Sequence, residues 1–254
     1  MANENDKKMT RRDFLKTSGI AVGTLVGGGL IGGAIGYNMK KTPESTQQDP
    51  KGEGERRQQT PVSPKGRQFF KNNRDFNILA QATERIFPED ELGPGAISLG
   101  VPYFIDNQLA GSYGLNAREY MQGPFEIGEP TQGYQSPLNR QQVFLRGIRK
   151  LEEEAQRRFN DSFVNLEGEQ MDEILTAFQK GEVEMEGVTS DYFFLLLRSA
   201  TLAGVYADPI YGGNNNMDGW RMKGFPGHQM SYINEIESEE FIEYEPQSLA
   251  SMDH

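Results

Sequence analysis

Apolar residues recur at helical spacing in five stretches of the chain, and this pattern predicts a mostly α fold. In the first, second and fourth stretches the positions at this spacing are Phe76, Leu79, Ala80, Thr83, Ile86, Phe87, Val101, Phe104, Ile105, Leu109, Met171, Ile174, Leu175 and Phe178. Pro88, Gly111 and Gly181 follow these stretches and are expected to end the helices. Alternating apolar and polar positions, which would favour strands, are not evident. We therefore predict a single helical domain with long ordered loops.

The third stretch predicts the longest helix, beginning at Ser136-Pro137 with a cap and a first-turn proline. Its apolar face would consist of Leu138, Leu145, Ile148, Ala155 and Phe159. The charged residues between Arg146 and Glu154 are predicted to face solvent.

The fifth stretch is the most apolar, and its helix is expected to begin at Thr189 or Ser190 and to end before Asp208-Pro209. Because Tyr192 to Leu197 is apolar on all sides, this helix is predicted to be central.

A long loop follows directly, reading DPIYGGNNNMDGWRMKGFPG from Asp208 to Gly227. It holds five glycines, two prolines, three asparagines and the only tryptophan of the chain. Such residues specify unusual backbone angles, so the loop is expected to follow one defined path. We interpret it as a structural or partner-facing loop with four candidate interface residues, namely Tyr211, Trp220, Phe225 and the following His228. A small-ligand site is the alternative.

The N-terminus has the features of an export signal of the twin-arginine type. Arg11 and Arg12 are followed by Asp13, Phe14 and Leu15, which is the twin-arginine signature. The next uncharged stretch, Gly19 to Tyr37, contains eight glycines in 19 residues. It is therefore only mildly hydrophobic, as such signals are, and is poorly suited to spanning a bilayer. Cleavage of this segment and its retention as an N-terminal anchor both remain open.

Composition divides the chain into four segments. Residues 1–37 form the predicted signal or anchor, and residues 38–66, which are polar and almost without apolar side chains, form a predicted disordered tether. Residues 67–234 form the predicted helical domain. Residues 235–254 form a predicted acidic, flexible tail.

Charge and residue usage exclude several function classes. The net charge of −11 argues against nucleic-acid binding, which requires clustered Lys and Arg. The absence of cysteine excludes disulfides, thiolate metal sites, iron–sulfur clusters and covalent c-type haem. With only His228 and His254, a His-rich metal site is also excluded. No dinucleotide-binding, P-loop or haem motif is present, so we predict no cofactor, no metal and no catalytic residue in this chain.

Some residue patterns suggest chemistry but do not complete it. Asn214, Asn216, Asp218 and Gly219 match the opening of a calcium-binding EF-hand loop, yet its twelfth position is Phe225 and not glutamate. The carboxylates at Glu84, Glu89, Asp90 and Asp106 have no fixed spacing of an acid–base pair, and we interpret them as solvated. His228 lacks a placed partner for a general-base role.

The motifs together resemble a known family. The twin-arginine leader, the segment ERIFPED (84–90), the segment GAISLGVPYFID (95–106) and the loop DPIYGGNNNMDGW…GFPG resemble the gluconate 2-dehydrogenase subunit 3 family, over roughly residues 69–232. The resemblance implies a small, non-catalytic subunit that helps a large FAD-dependent dehydrogenase of the glucose–methanol–choline class to mature. It also implies that the small subunit carries its partner across the cytoplasmic membrane through the twin-arginine translocase. A c-type cytochrome is often the third subunit of such complexes.

A different class of function stays open from the residues alone. The chain could be a stand-alone exported enzyme or ligand-binding protein that uses the loop of residues 208–228 as a pocket. The twin-arginine route exports proteins that are already folded, often because a cofactor was inserted in the cytoplasm. This chain, however, has no cofactor motif. The carrier hypothesis accounts for that combination and is therefore preferred.

Overall fold

The computed structural model describes residues 66–126, 128–233, 235–240 and 242–251. Over these ranges the chain forms a single helical domain without a β-strand, which confirms the predicted fold class. The predicted signal residues Arg11, Arg12, Phe14 and Leu15 lie outside the described residues, as does the predicted tether except for Gly66. None of the described helices is both long and apolar enough to cross a membrane.

Five long helices and one short helix build the domain. They are α1 (Asn73–Ile86), α2 (Val101–Ala110), α3 (Arg140–Phe159), α4 (Gly168–Gln179), α5 (Ser190–Tyr206) and the four-residue α6 (Asp218–Arg221). Helix α5 contacts each of α1 to α4, so its predicted central position is confirmed. The buried core is formed by apolar residues of all five long helices.

Helix α5 is central but is not buried on all sides. Asp191, Ser199 and Ala203 are exposed, and Leu195 retains 47% of its accessible surface. These residues are four positions apart and therefore form one stripe along the helix. Helix α5 thus faces solvent along one line while its other sides pack in the core.

Helix α3 begins later than Ser136-Pro137 suggested. The N-cap is Asn139, whose side chain accepts a hydrogen bond from the N–H of Gln142 at 3.0 Å, while the Gln142 side chain accepts from the N–H of Asn139 at 3.0 Å. This reciprocal pair satisfies two N–H groups at the start of the helix. Ser136 instead holds the preceding turn, accepting from the N–H of Leu138.

Two glutamates predicted to face solvent are buried in the structure. Glu152 is 7% exposed and Glu154 is 5% exposed. Glu152 accepts hydrogen bonds from Arg74 at 2.6 Å and from the N–H of Phe163 at 3.0 Å, and Glu154 pairs with Arg157 and Arg158. Arginines from α1 and from the end of α3 make this burial tolerable, because a buried carboxylate requires hydrogen-bonded partners.

We predict that these two carboxylates make folding stability fall in acid. Burial opposes the ionisation of Glu152, but hydrogen bonds from Arg74, Phe163 and Ser162 outweigh it, so its pKa lies below the ordinary value. The pKa of Glu154 is lowered in the same way: burial is outweighed by hydrogen bonds from Arg157 and Arg158. A lowered folded-state pKa gives stability that is fully present above the unfolded-state pKa of about 4.3 and is lost as pH falls through the folded-state value.

Urea unfolding of Glu152→Gln at a series of pH values tests this prediction. We expect the variant to lose about 1–3 kcal/mol of unfolding free energy at pH 7, because hydrogen bonds to a charged group are broken. Its stability should also decline less steeply than that of the parent below about pH 5. Glu153→Gln is the matched control, since the Glu153 side chain is 65% exposed and pairs only with Lys150 among the described residues. Equal pH profiles for parent and Glu152→Gln would contradict the assignment.

Asp106, which the sequence suggested to be solvated, is completely buried and fixes the first described residues of the chain. Its carboxylate accepts hydrogen bonds from the backbone N–H groups of Gln68, Phe69 and Phe70, the last at 2.7 Å. Three N–H donors compensate the cost of burying this charge. The start of the domain is therefore bound to the side of α2.

Candidate functional site

The loop of residues 208–228 encloses the C-terminal end of α5 by hydrogen bonds to its last carbonyl groups. The indole N–H of Trp220 donates to the carbonyl oxygen of Tyr206 at 2.8 Å, and the side-chain amide of Asn214 donates to that of Ala207 at 2.9 Å. A helix end leaves such carbonyls without partners inside the helix. A side chain at Gly219 would clash with the carbonyl oxygen of Val205, so glycine is required for this close approach.

The same loop is bonded to the segment that precedes α2. The side-chain amide of Asn215 donates to the carbonyl oxygen of Ser98 at 2.7 Å, and the backbone N–H of Asn215 donates to that of Leu99 at 3.0 Å. The chain then turns into α2 at Gly100, whose φ of 78° lies in the left-handed region. These bonds connect parts of the chain that are more than a hundred residues apart in sequence.

Glu84 at the end of α1 completes the assembly. Its carboxylate accepts hydrogen bonds from the N–H of Ile97 at 2.8 Å and from the N–H of Glu89 at 3.3 Å, so it is a structural acceptor that joins α1 to the segment before α2. The three segments that suggested the family, residues 84–90, 95–106 and 208–227, therefore meet in space. We call this hydrogen-bonded assembly the junction.

The four predicted interface residues lie in different environments around the junction. Trp220 is only 6% exposed, whereas Tyr211 is 54% and Phe225 is 47% exposed. The ring of Phe225 packs edge-on against Trp220 with centroids 5.4 Å apart. Trp220 thus supports the loop from inside, while Tyr211 and Phe225 present their rings to solvent.

His228 is half-buried beside the loop, and its nearest polar contact is the sulfur of Met230. The distance from Nε2 to that sulfur is 3.4 Å. The backbone N–H of His228 donates to the carbonyl oxygen of Gln247 at 2.7 Å. His228 therefore contributes to backbone pairing, and no acid–base partner is bonded to its ring among the described residues.

Sequence reasoning missed that the segment after residue 245 returns to the junction. Asp208 accepts hydrogen bonds from the hydroxyl of Ser248 at 2.6 Å and from the N–H of Leu249 at 2.9 Å. This brings Leu249, 41% exposed, close to the turn that carries Ile210, 49% exposed. The boundary between domain and tail at residue 235 stays a prediction, but residues 247–249 are bonded to the domain.

Exposed apolar side chains concentrate around this end of the domain. Of the 15 exposed large apolar residues in the described chain, ten lie on the junction segments, on the returning segment or on residues 229–246, and an eleventh, Leu92, lies in the turn between residues 84–90 and 95–106. We call six of them the apolar platform, because they lie on the junction segments, in the turn between the first two of these, or on the returning segment: Leu92, Ile97, Ile210, Tyr211, Phe225 and Leu249. Groups of exposed apolar residues of this kind mark interaction sites.

The polar side chains of the loop hold its own structure together. Within the described residues no group of three or more His, Cys, Asp or Glu is placed to hold a metal ion. The oxygen of Asn214, the first position of the EF-hand-like pattern, accepts from the N–H of Gly219 at 2.7 Å, so it is used to brace the loop. A hydrogen-bonded assembly that presents apolar rings is suited to binding another protein.

An apolar groove of 290 Å³ lies elsewhere, between α2 and α5. Phe104, Ile105, Tyr113, Ala200 and Ala203 contribute to its walls. None of its lining residues belongs to the loop of residues 208–228, so this groove gives no support to a ligand pocket in that loop.

Comparison with known families identifies the kind of chain that has this arrangement. Residues 73–227 match the family described as Gluconate 2-dehydrogenase subunit 3, and since the match covers more than half of the chain, the protein belongs to that family. The predicted resemblance is confirmed. No curated protein and no solved structure matches the chain. The matched range begins with α1 and ends at Gly227, so it includes α1 to α6 and the whole junction.

Proposed function

We propose that this chain is the small, non-catalytic subunit of an exported FAD-dependent dehydrogenase complex that oxidises gluconate or a related sugar or alcohol. The observation that carries the proposal is the family match, whose description names a dehydrogenase subunit. The structure supports it because the family-matched segments converge on a junction that exposes an apolar platform.

In this proposal the chain contributes binding and transport. The large subunit holds FAD and performs the oxidation, and a c-type cytochrome accepts the electrons in complexes that contain one. Arg11, Arg12, Phe14 and Leu15 address the assembled pair to the twin-arginine translocase. The complex then lies outside the cytoplasmic membrane, with the N-terminal segment either cleaved or kept as an anchor.

Tyr211 and Phe225 are the proposed contacts to the large subunit. Both are aromatic, half-exposed and fixed by a braced loop, so little conformational entropy is lost when a partner covers them. Trp220 fixes the geometry of the loop through its hydrogen bond to Tyr206.

We predict that replacing Tyr211 and Phe225 by alanine weakens binding of the large subunit. Aromatic residues at the centre of an interface contribute on the order of 2 kcal/mol each, so each replacement should weaken binding by about thirtyfold. The measurement is co-purification of the large subunit from the same host with a tagged small subunit, followed by titration of the purified pair.

Tyr120→Ala is the matched control, because Tyr120 is 81% exposed and lies between α2 and α3, away from the junction segments in sequence. The thermal midpoints of all variants should stay close to that of the parent, since the replaced rings are half-exposed. Undiminished binding by the double variant Tyr211→Ala, Phe225→Ala would refute the platform as the interface.

A further inference from the structure

Residues 229–246 leave the domain and return to it as a closed loop. At its base, the N–H of His228 donates to the carbonyl oxygen of Gln247 at 2.7 Å, and the N–H of Gln247 donates to that of Pro226 at 3.1 Å. The rings of Tyr232 and Tyr244 meet edge-on, with centroids 5.7 Å apart. The two arms of the loop are therefore joined to each other, and both ends are fixed at the junction.

This loop exposes apolar side chains next to negative charge. Met230 is 81% exposed, and Ile233 and Ile236 are each 76% exposed. The same loop contains six glutamates and no lysine or arginine. Glu245 forms an ion pair with Arg221 at 3.4 Å, whereas Glu237, Glu239, Glu240 and Glu243 have no ion pair within the described part of the chain.

The complementary composition occurs in the leader of the same chain. Residues 7–16 read KKMTRRDFLK, with five cationic residues, one aspartate and the apolar pair Phe14-Leu15. The whole chain is strongly acidic, with a net charge of −11 that includes the +4 of these ten residues. The leader is thus a basic and apolar segment, and the loop is an acidic and apolar surface.

The leader can reach the loop wherever the loop lies on the domain. Residues 17–65 connect it to the first described residue, and a flexible linker of 49 residues has an expected mean span of about 40 Å. A domain of this size has a radius of gyration of about 16 Å, and that span is more than twice this value. Tethering also holds the two segments at a high effective concentration.

We propose that the loop of residues 229–246 binds this chain's own leader, residues 7–16, and holds it until the dehydrogenase subunit covers the adjoining platform. The second half of this statement rests on the function proposed above. Phe225 of the platform is three residues from the base of the loop at His228, so a partner seated on the platform competes with the leader for the same area. The translocase then meets a free twin-arginine signal only on an assembled complex.

Cross-linking in the full-length chain tests the contact directly, because the chain has no cysteine of its own. One thiol is placed in the leader by Met9→Cys and a second in the loop by Ile233→Cys. The control pair combines Met9→Cys with Tyr120→Cys, where the side chain is 81% exposed on another segment. Since several weak ion pairs act together on a tethered segment, we expect cross-linking in the loop pair to be about tenfold faster than in the control pair.

The charge dependence separates docking from random collision. Glu237→Gln, Glu239→Gln and Glu240→Gln together should reduce cross-linking of the loop pair to the control level. Ionic strength of about 1 M should do the same, since it shortens the screening length to about 3 Å. Equal rates in the two pairs, rates insensitive to both changes, or a product joining two different chains would overturn the proposal.

Addition of the dehydrogenase subunit tests the release. We expect it to abolish the cross-link between leader and loop, and persistence of the cross-link in the purified complex would overturn the release. If the two subunits do not bind each other, the proposed function is refuted. The contact between leader and loop is still tested by cross-linking in the free chain. A different outcome would be that the triple glutamine variant no longer binds the large subunit while the parent shows no cross-link between leader and loop. The loop would then bind the partner and not the leader, and the proposal would be overturned.

Discussion

Trp220→Ala is expected to unfold the junction and to remove much of the domain's stability. Trp220 is 6% exposed, donates its indole N–H to Tyr206 at 2.8 Å and supports the ring of Phe225. Truncating a buried tryptophan to alanine costs about 3–5 kcal/mol, a large fraction of the roughly 5–15 kcal/mol that stabilises a typical domain. For a domain of about 185 residues the thermal midpoint should fall by roughly 10 °C.

The measurement is thermal unfolding followed by circular dichroism, with Trp220→Phe as the matched variant. Phenylalanine keeps an aromatic ring in the site but lacks the N–H, so the carbonyl of Tyr206 loses a donor and we expect a smaller loss of about 1–2 kcal/mol. The difference between the two variants separates packing from hydrogen bonding. A Trp220→Ala protein as stable as the parent would show that the indole does not hold the junction.

The same variant has an expected consequence for assembly. If the junction presents the platform, Trp220→Ala should lower the recovery of exported dehydrogenase while leaving the flavin chemistry of any assembled complex intact. Tyr211→Ala should lower recovery without a comparable loss of stability, since its ring is 54% exposed. Comparing the two distinguishes a residue that supports the surface from a residue that contacts the partner.

Local patterns in the sequence predicted the helices well, because each helix is a local structure with a regular period. Helices α1, α2 and α4 end one or two residues before Pro88, Gly111 and Gly181, as predicted. Each of these helices buries its predicted apolar side. The start of α3 was missed because two caps compete there, and the reciprocal pair Asn139–Gln142 prevails over Ser136-Pro137.

Contacts between distant segments could not be predicted in this way. The burial of Glu152 depends on Arg74, 78 residues away, and that of Asp106 depends on the N–H groups of residues 68–70, more than 35 positions away. Neither partner leaves a periodic signal in the sequence. The hydrogen bonds from Ser248 and Leu249 to Asp208 join two irregular segments, which have no period at all.

The candidate site was predicted only in part for the same reason. Composition identified the loop of residues 208–227 as ordered and its aromatic residues as candidates. Only the structure shows that Trp220 is buried while Tyr211 and Phe225 are exposed, and that Ile210 and Leu249 lie on segments joined through Asp208. The binding experiment with Tyr211→Ala and Phe225→Ala tests their contact with a partner.

Replacing Arg11 and Arg12 by lysine is expected to keep the dehydrogenase inside the cytoplasm. The double change preserves the positive charge but removes the paired guanidinium groups that define the twin-arginine signature. Both subunits should still assemble, because the replaced residues lie far in sequence from the platform. Dehydrogenase activity outside the cytoplasmic membrane should then fall to the level of a strain that lacks the small subunit.

The measurement is the location of each subunit, found with antibodies after cell fractionation. It distinguishes the leader's role as an export signal from the chain's role as a carrier of the large subunit. Lys40→Arg with Lys41→Arg is the matched control, since it exchanges the same two residue types behind the apolar stretch and should leave export unchanged. If the large subunit still leaves the cytoplasm while the small subunit is retained, the leader is an export signal but the chain is not the carrier. If both subunits leave, the twin arginines are not the signal, and the argument from the leader to a transported partner loses its first step.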